Sequence, residues 1–276
     1  MASHQPDLQD RGFRYGDGIF RTMRIHDGRI LLEQQHAQCF LHDAGALAIA
    51  VPPDWLIQVR DAAALLDSGV LRVTLTRGRS DRGYAPDPNA EPALYLETGA
   101  LPPSVYRPML RLRLCEMRLS QQPRLAGVKH LNRLEQVLAR AEWAPLGDDA
   151  AEEGVMLDQS GMVISGTMSN VFAVLGDGRD PEIVTPALDQ CGVAGAVRAW
   201  VLSAGAAALD VTVAVRALTP AELRNAREIF VTNAVWGVRS IQQFEGRNCV
   251  STDFASRLRD QLGPPYAADA CGINHN

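Results

Sequence analysis

The chain has 276 residues, 46% hydrophobic and 21% charged, which is ordinary globular material. Its net charge of −5, with no basic stripe, argues against a nucleic-acid binder. No apolar run approaches the roughly 20 residues that span a bilayer. Residues 1–14 lack the apolar stretch of a secretory signal, so a cytoplasmic protein is expected. The 5 cysteines are odd in number and lack metal-ligand spacing, implying neither a disulfide framework nor a metal site.

In chain order, Asp10-Arg11-Gly12-Phe13-Arg14-Tyr15-Gly16-Asp17-Gly18 is glycine-dense and reads as tight backbone before a strand over 19–23. His26-Asp27-Gly28 signals a hairpin turn. Apolar periodicity predicts helices over 31–47 and 53–66, the second with Asp54 near its start. A strand over 70–76 enters the polar loop 77–84, and further strands fall at 93–98 and 109–118. Pro123 and Gly127 mark 119–127 as a connection. Leu131, Leu134, Leu138 and Ala141 place an apolar stripe on a helix just after Lys129.

Short strands follow at 154–157, 163–164, 170–174 and 183–184. A glycine-rich entry leads to a helix over 192–202. A strand at 211–216, a short helix at 220–224 and a strand at 228–232 ending on Asn233-Ala234 come next. The last helix, 251–262, precedes a loosely ordered tail. The mixture predicts an α/β (α+β) protein with a small N-terminal domain 1–118, the connection 119–127 and a larger C-terminal domain 128–276 carrying the lysine.

That lysine is the informative count. Lys and Arg total 27, and Lys129 is the only lysine. Arginine can replace lysine as a solvated charge but not as a nucleophile, because a guanidinium does not deprotonate in a protein whereas a buried ammonium can. An aldehyde cofactor needs such an amine to form a Schiff base. Composition alone leaves open whether Lys129 is this amine or the chance survivor of codon bias.

Other clusters are ambiguous by themselves. Asp189-Gln190-Cys191-Gly192-Val193-Ala194-Gly195-Ala196-Val197-Arg198 reads as a turn, or as backbone N–H groups and a helix start offered to a phosphate. Arg77, Arg79 and Arg82 share one loop, either solvated or presenting guanidinium forks to carboxylates. His36 and His42 read as packing or surface residues, their spacing being wrong for a metal on one helix face.

Taken in order, several motifs resemble the fold-type IV pyridoxal-phosphate enzymes, a class IV aminotransferase-like family. They are Asp10-Arg11-Gly12 with Tyr15-Gly16-Asp17-Gly18-Ile19-Phe20; Arg77-Gly78 with Arg82-Gly83-Tyr84; Gly127-Val128-Lys129-His130-Leu131-Asn132-Arg133-Leu134-Glu135-Gln136; Gly166-Thr167-Met168-Ser169-Asn170-Val171-Phe172; Leu188-Asp189-Gln190; and Asn233-Ala234. Within the family the lysine run and the arginine loop resemble the bacterial aminodeoxychorismate lyases. The resemblance implies the two-domain D-amino-acid aminotransferase-like fold, a homodimer with its site where the domains meet, and pyridoxal 5'-phosphate as cofactor. It implies a lyase producing 4-aminobenzoate, a folate precursor, and pyruvate. A D-amino-acid or branched-chain aminotransferase and a non-catalytic binding or assembly relative are the alternatives.

By the same resemblance Lys129 is the Schiff-base lysine and the catalytic residue. Ser165, Ala196, Val197, Asn233 and Ala234 fall at cofactor-binding positions. Arg77, Arg82 and Tyr15 are the candidates for substrate binding, and no metal is implied. The pattern departs from the family where Cys39 replaces a phosphate-binding arginine, where Ser165 replaces a glutamate facing the pyridine nitrogen, and where Ala196-Val197 replaces Ile-Thr.

Overall fold

The computed structural model describes residues 7–81, 83–107, 109–143, 152–176 and 181–270. Two compact units emerge: residues 1–101 with 128–133, and residues 102–127 with 134–276.

The first unit contains α1 (Arg11–Tyr15), β1 (Gly18–His26), β2 (Arg29–Ile30), α2 (Glu33–Ala46), α3 (Trp55–Ala64), β3 (Ser68–Thr76) and β4 (Ala93–Gly99). Its sheet runs β2-β1-β3-β4 with all neighbours antiparallel. Asp27 and Gly28 both take positive φ, as the tight turn between β1 and β2 requires. One sheet face carries Ile19, Met23, Ile25, Leu71, Val73 and Leu75. It packs against Phe40 and Ala44 of α2 and Val59 and Ala63 of α3.

Segment 128–133 completes this sheet from a distance. Ile19 and His130 form an antiparallel bridge. The Phe20 N–H donates to the Lys129 carbonyl, and the Leu131 N–H to that of Gly18, each at 3.0 Å. Val128 enters the core. Gly16 closes α1 with φ +66°, and a Cβ there would lie 2.2 Å from Asn132 Oδ1, so only glycine lets segment 128–133 dock this closely.

The second unit contains β5 (Met109–Leu119), α4 (Leu134–Ala141), β6 (Glu153–Asp158), β7 (Val163–Gly166), β8 (Asn170–Leu175) and β9 (Glu182–Pro186). Then α5 (Ala196–Trp200) continues through the π-turn Val201–Gly205 into α6 (Ala206–Leu209). Next come β10 (Val213–Arg216), α7 (Pro220–Asn225), β11 (Glu228–Asn233), β12 (Gly237–Phe244), β13 (Arg247–Asn248), α8 (Asp253–Leu262) and α9 (Tyr266–Ala270). The sheet order is β10-β9-β8-β11-β12-β5-β6-β7, with β13 on β12. Val163 bridges Leu218, just beyond β10, so the sheet curls until its ends meet. Stacked Phe172 and Phe230, 4.7 Å apart, lie in the interior. Among the described residues no helix is long and apolar enough to cross a membrane.

Four expectations change. The glycine-dense run contains α1, whose five residues are too few for periodicity to reveal; Asp10 caps it by accepting from the Gly12 N–H. Neither β12 nor α9 was anticipated, the latter lying in the supposed tail. The domain boundary moves because β5 bonds to β12 and β6 in the second unit, whereas Lys129 joins β1 in the first. The helix after Lys129 starts at Leu134, and its stripe faces outward: Leu134 is 68% and Leu138 49% exposed, while Ala139 packs with Trp143.

Candidate active site

Lys129 is pinned at both ends of its backbone. Its carbonyl accepts from Phe20, and its N–H donates to Asp43 Oδ2 at 3.1 Å. Asp43 is fully buried on the inner face of α2 and is paired with the equally buried Arg21 of β1. Since Ile19 bridges His130, Lys129 lies opposite Phe20, and its Nζ sits 4.5 Å from that ring's centroid. Burial pushes the amine down to about 7, helped by the nearby charges of Arg21, Arg133 and Arg72 and opposed by Asp43. A neutral amine is therefore abundant at physiological pH. In cofactor-free protein, acylation of Lys129, followed on its peptide, is expected to rise with a midpoint near pH 7; one near the ordinary lysine value of about 10.4 would contradict this environment.

His36 is buried on α2, and neither ring nitrogen has a hydrogen-bond partner among the described residues. Burial, then the charges of Arg21 and Lys129, push its pKa down to about 3, so it is a neutral packing group. Cys39 brings no charge of its own, yet the structure places a cation against it: Arg21 Nη2 donates to the Cys39 carbonyl at 3.3 Å. Neither Arg21 nor Asp43 was singled out as a functional residue in the sequence. The available signal was a charged residue in the inward register of Ile19, Met23 and Ile25.

The arginine loop is held differently from expectation. Arg77 donates from Nε and Nη2 to Asp17 at 2.9 and 3.1 Å, and from Nη1 and Nη2 to the Ala48 and Leu47 carbonyls at 2.8 and 2.7 Å. Its fork thus ties β1, β3 and the end of α2 together. Replacing Arg77 by Met should lower stability by roughly 1–3 kcal/mol with little change in KM, as read by thermal unfolding and steady-state kinetics. Arg11 does similar work, bonding Asp17 and the Gly83 and Tyr84 carbonyls. Tyr15 packs on Tyr84 with centroids 5.4 Å apart, and its hydroxyl accepts from the Gly83 N–H. Arg82 lies outside the described residues.

In the second unit, Asn170 Nδ2 donates to the Val193 carbonyl while its Oδ1 accepts from the Gly195 N–H, setting the start of α5. No side chain caps that start, which leaves the first N–H groups of α5, including those of buried Ala196 and Val197, for an outside acceptor. Asn233 Oδ1 accepts from the Val235 and Trp236 N–H groups, shaping the turn that holds Ala234. Thr232 pairs with Asn170 across the sheet, and its buried hydroxyl has no partner among the described residues; sequence reasoning missed it. Ser165 is buried in β7.

A family model for amino-transferase class IV matches residues 18–244. The aminodeoxychorismate lyase of Vibrio harveyi is 34% identical over 246 residues, 87% of each chain. A putative branched-chain-amino-acid aminotransferase of Methanocaldococcus jannaschii is 28% identical over 245 residues, covering 86% of this chain and 82% of the relative. The crystal structure of 4-amino-4-deoxychorismate lyase from Pseudomonas aeruginosa matches with a TM-score of 0.86 at 37% identity, covering 96% of this chain and 97% of that one.

Proposed function

The chain belongs to the class IV aminotransferase family, and from that premise we propose that it is a pyridoxal-phosphate-dependent lyase converting 4-amino-4-deoxychorismate to 4-aminobenzoate and pyruvate. The reading places it in folate biosynthesis, in the cytoplasm. The observation that carries it is Lys129: the only lysine of the chain, pinned by Asp43 and Phe20, with its amine lowered to about 7 so that a large neutral fraction exists at physiological pH.

Each unit by itself carries groups that suit the cofactor. Lys129 offers the amine that its aldehyde requires. The uncapped start of α5 at Ala196 and Val197, the turn at Asn233 and Ala234, and the unpartnered Thr232 hydroxyl suit a phosphate. Ser165 is the residue assigned to its ring nitrogen. When bound, the cofactor supplies an electron sink next to the substrate's amine-bearing carbon.

The protein's own part is positioning and proton transfer. The clamp on the Lys129 backbone fixes where its Nζ acts. As a neutral base, Lys129 takes the hydrogen from the ring carbon bearing the substrate nitrogen. The C–O bond to the enolpyruvyl group breaks as the ring becomes aromatic, and the departing enolpyruvate gains a proton to become pyruvate. Aromatisation drives the elimination, so a strong sink is not demanded, in keeping with the uncharged Ser165.

The test is incubation with aminodeoxychorismate while following 4-aminobenzoate and pyruvate, which should appear in equal amounts; absence of both would overturn the reading. The similarity to the M. jannaschii relative supports a second one, an aminotransferase. It predicts that D-alanine or L-leucine converts the cofactor to its amine form in a half-reaction. We also propose a homodimer, supported by the exposed Leu134, Val137 and Leu138 on α4 and tested by light scattering.

A further inference from the structure

The C-terminal helices close on the strand whose end forms the Asn233 turn. At the start of β11 the buried Glu228 carboxylate accepts from the Phe254 and Ala255 N–H groups, at 3.1 and 2.7 Å, and from the Ser251 hydroxyl, at 3.3 Å. It thereby satisfies donors that the start of α8 would leave open. Beyond the far end of β11, the hydroxyl of Tyr266, the first residue of α9, donates to the Ala234 carbonyl at 2.7 Å. The segment formed by α8 and α9 is thus bonded at both ends of one strand of 6 residues.

The contact at Ala234 is closely built. Tyr266 is 2% exposed, and its ring lies against Gly237, where φ is +72° and a Cβ would stand 2.7 Å from the ring's Cδ1. Glycine at 237 is what lets the ring reach the turn. The peptide joining Ala234 to Val235 is held on both sides: its N–H donates to Asn233 Oδ1 at 3.0 Å, and its carbonyl accepts from Tyr266. Only the φ and ψ of Ala234 separate this plane from the preceding one, so fixing it also restrains the direction of the Ala234 N–H. No sequence motif points to Tyr266, which falls in the stretch expected to be loosely ordered.

We propose that Tyr266 is a positioning residue for the cofactor's phosphate: its hydroxyl orients the Asn233–Ala234 turn so that the turn's backbone N–H meets a phosphate oxygen. This rests on the proposed place of the phosphate at that turn. Tyr266 touches neither cofactor nor substrate in this role and acts through the Ala234 peptide. The C-terminal segment, and not the sheet alone, then sets this part of the site. Phosphate at the turn in return holds α9 in place, because coupling between two sites is reciprocal.

Two measurements on the full chain test it. In the first, cofactor-free protein is titrated with pyridoxal 5'-phosphate and with pyridoxal, which lacks the phosphate. Tyr266→Phe removes the hydroxyl and keeps the ring. It should weaken pyridoxal 5'-phosphate roughly threefold to tenfold and leave pyridoxal within about twofold, with the Lys129 acylation midpoint unmoved. A role confined to stability would lower Tm and shift both ligands alike or neither, so an unchanged ratio of the two affinities overturns the assignment. In the second, amide hydrogen exchange is followed with and without saturating inorganic phosphate. Phosphate should slow exchange in wild type over 233–236 and over 263–270 together, and Tyr266→Phe should lose the protection over 263–270. Protection over 233–236 with none over 263–270 overturns the role of Tyr266 alone. Protection over neither overturns the placement of the phosphate at the turn, and the role with it.

Discussion

Lys129→Ala is expected to abolish both 4-aminobenzoate formation and the visible absorbance of the bound cofactor, with the rate falling about a thousandfold or more. Lys129 is the only side-chain amine in the sequence, so no second lysine stands by to replace it. Lys129→Arg should be equally inactive although the positive charge is kept, because a guanidinium at neutral pH is neither nucleophile nor base. Lys129→Met separates chemistry from folding. It removes a charge whose burial is unfavourable, so the variant should be at least as stable as wild type in thermal unfolding and still inactive. Appreciable turnover by any of the three would refute the role of Lys129.

The second large effect is expected at Arg21 and Asp43. Both side chains are almost entirely shielded from water and pair directly. Removing one partner from a buried pair leaves an uncompensated charge, at a cost of about 3–5 kcal/mol, so Arg21→Met and Asp43→Asn should each lower Tm by on the order of 10 °C. A purely structural pair would do no more than this. Here the two variants should also move the acylation midpoint of Lys129 in opposite directions. Arg21→Met deletes a cation that disfavours the ammonium, so the midpoint should rise. Asp43→Asn deletes the carboxylate that favours it, so the midpoint should fall. Equal midpoints in the two variants would reduce the pair to a fold-holding contact.

These residues also show where sequence reading reached and where it stopped. Lys129 was legible because composition isolates it. Helices α2 and α3 were legible because their apolar positions repeat at the helical period, and α8 because Ser251 and Asp253 are plausible caps at its start. The partnership of Arg21 with Asp43 was not, since it joins segments 22 residues apart on different elements, and nothing local to either names the other. Arg77 likewise has a partner far off in sequence. An arginine in a polar loop invites a ligand, but Asp17, 60 residues earlier, already faces it. The domain boundary misled because Pro123 and Gly127 mark a break in the chain, whereas β5 before that break and Lys129 after it belong to sheets that only long-range pairing defines.

The late arrival of segment 128–133 has a consequence for how the protein acquires its activity. The sheet that seats Lys129 is built from residues near the start of the chain, yet its last piece comes from far along it: 86 residues separate Lys129 from Asp43, and 116 separate Asn132 from Gly16. Contacts this distant in sequence form slowly, because the intervening loop must close before they give anything back. During synthesis the first 101 residues can lay down β1, β2, β3 and β4 while the edge beside Ile19 and Phe20 still waits for its partner. A nascent chain should therefore hold a folded but chemically silent sheet, and reactivity at the lysine should be among the last properties gained on refolding and among the first lost when that edge frays.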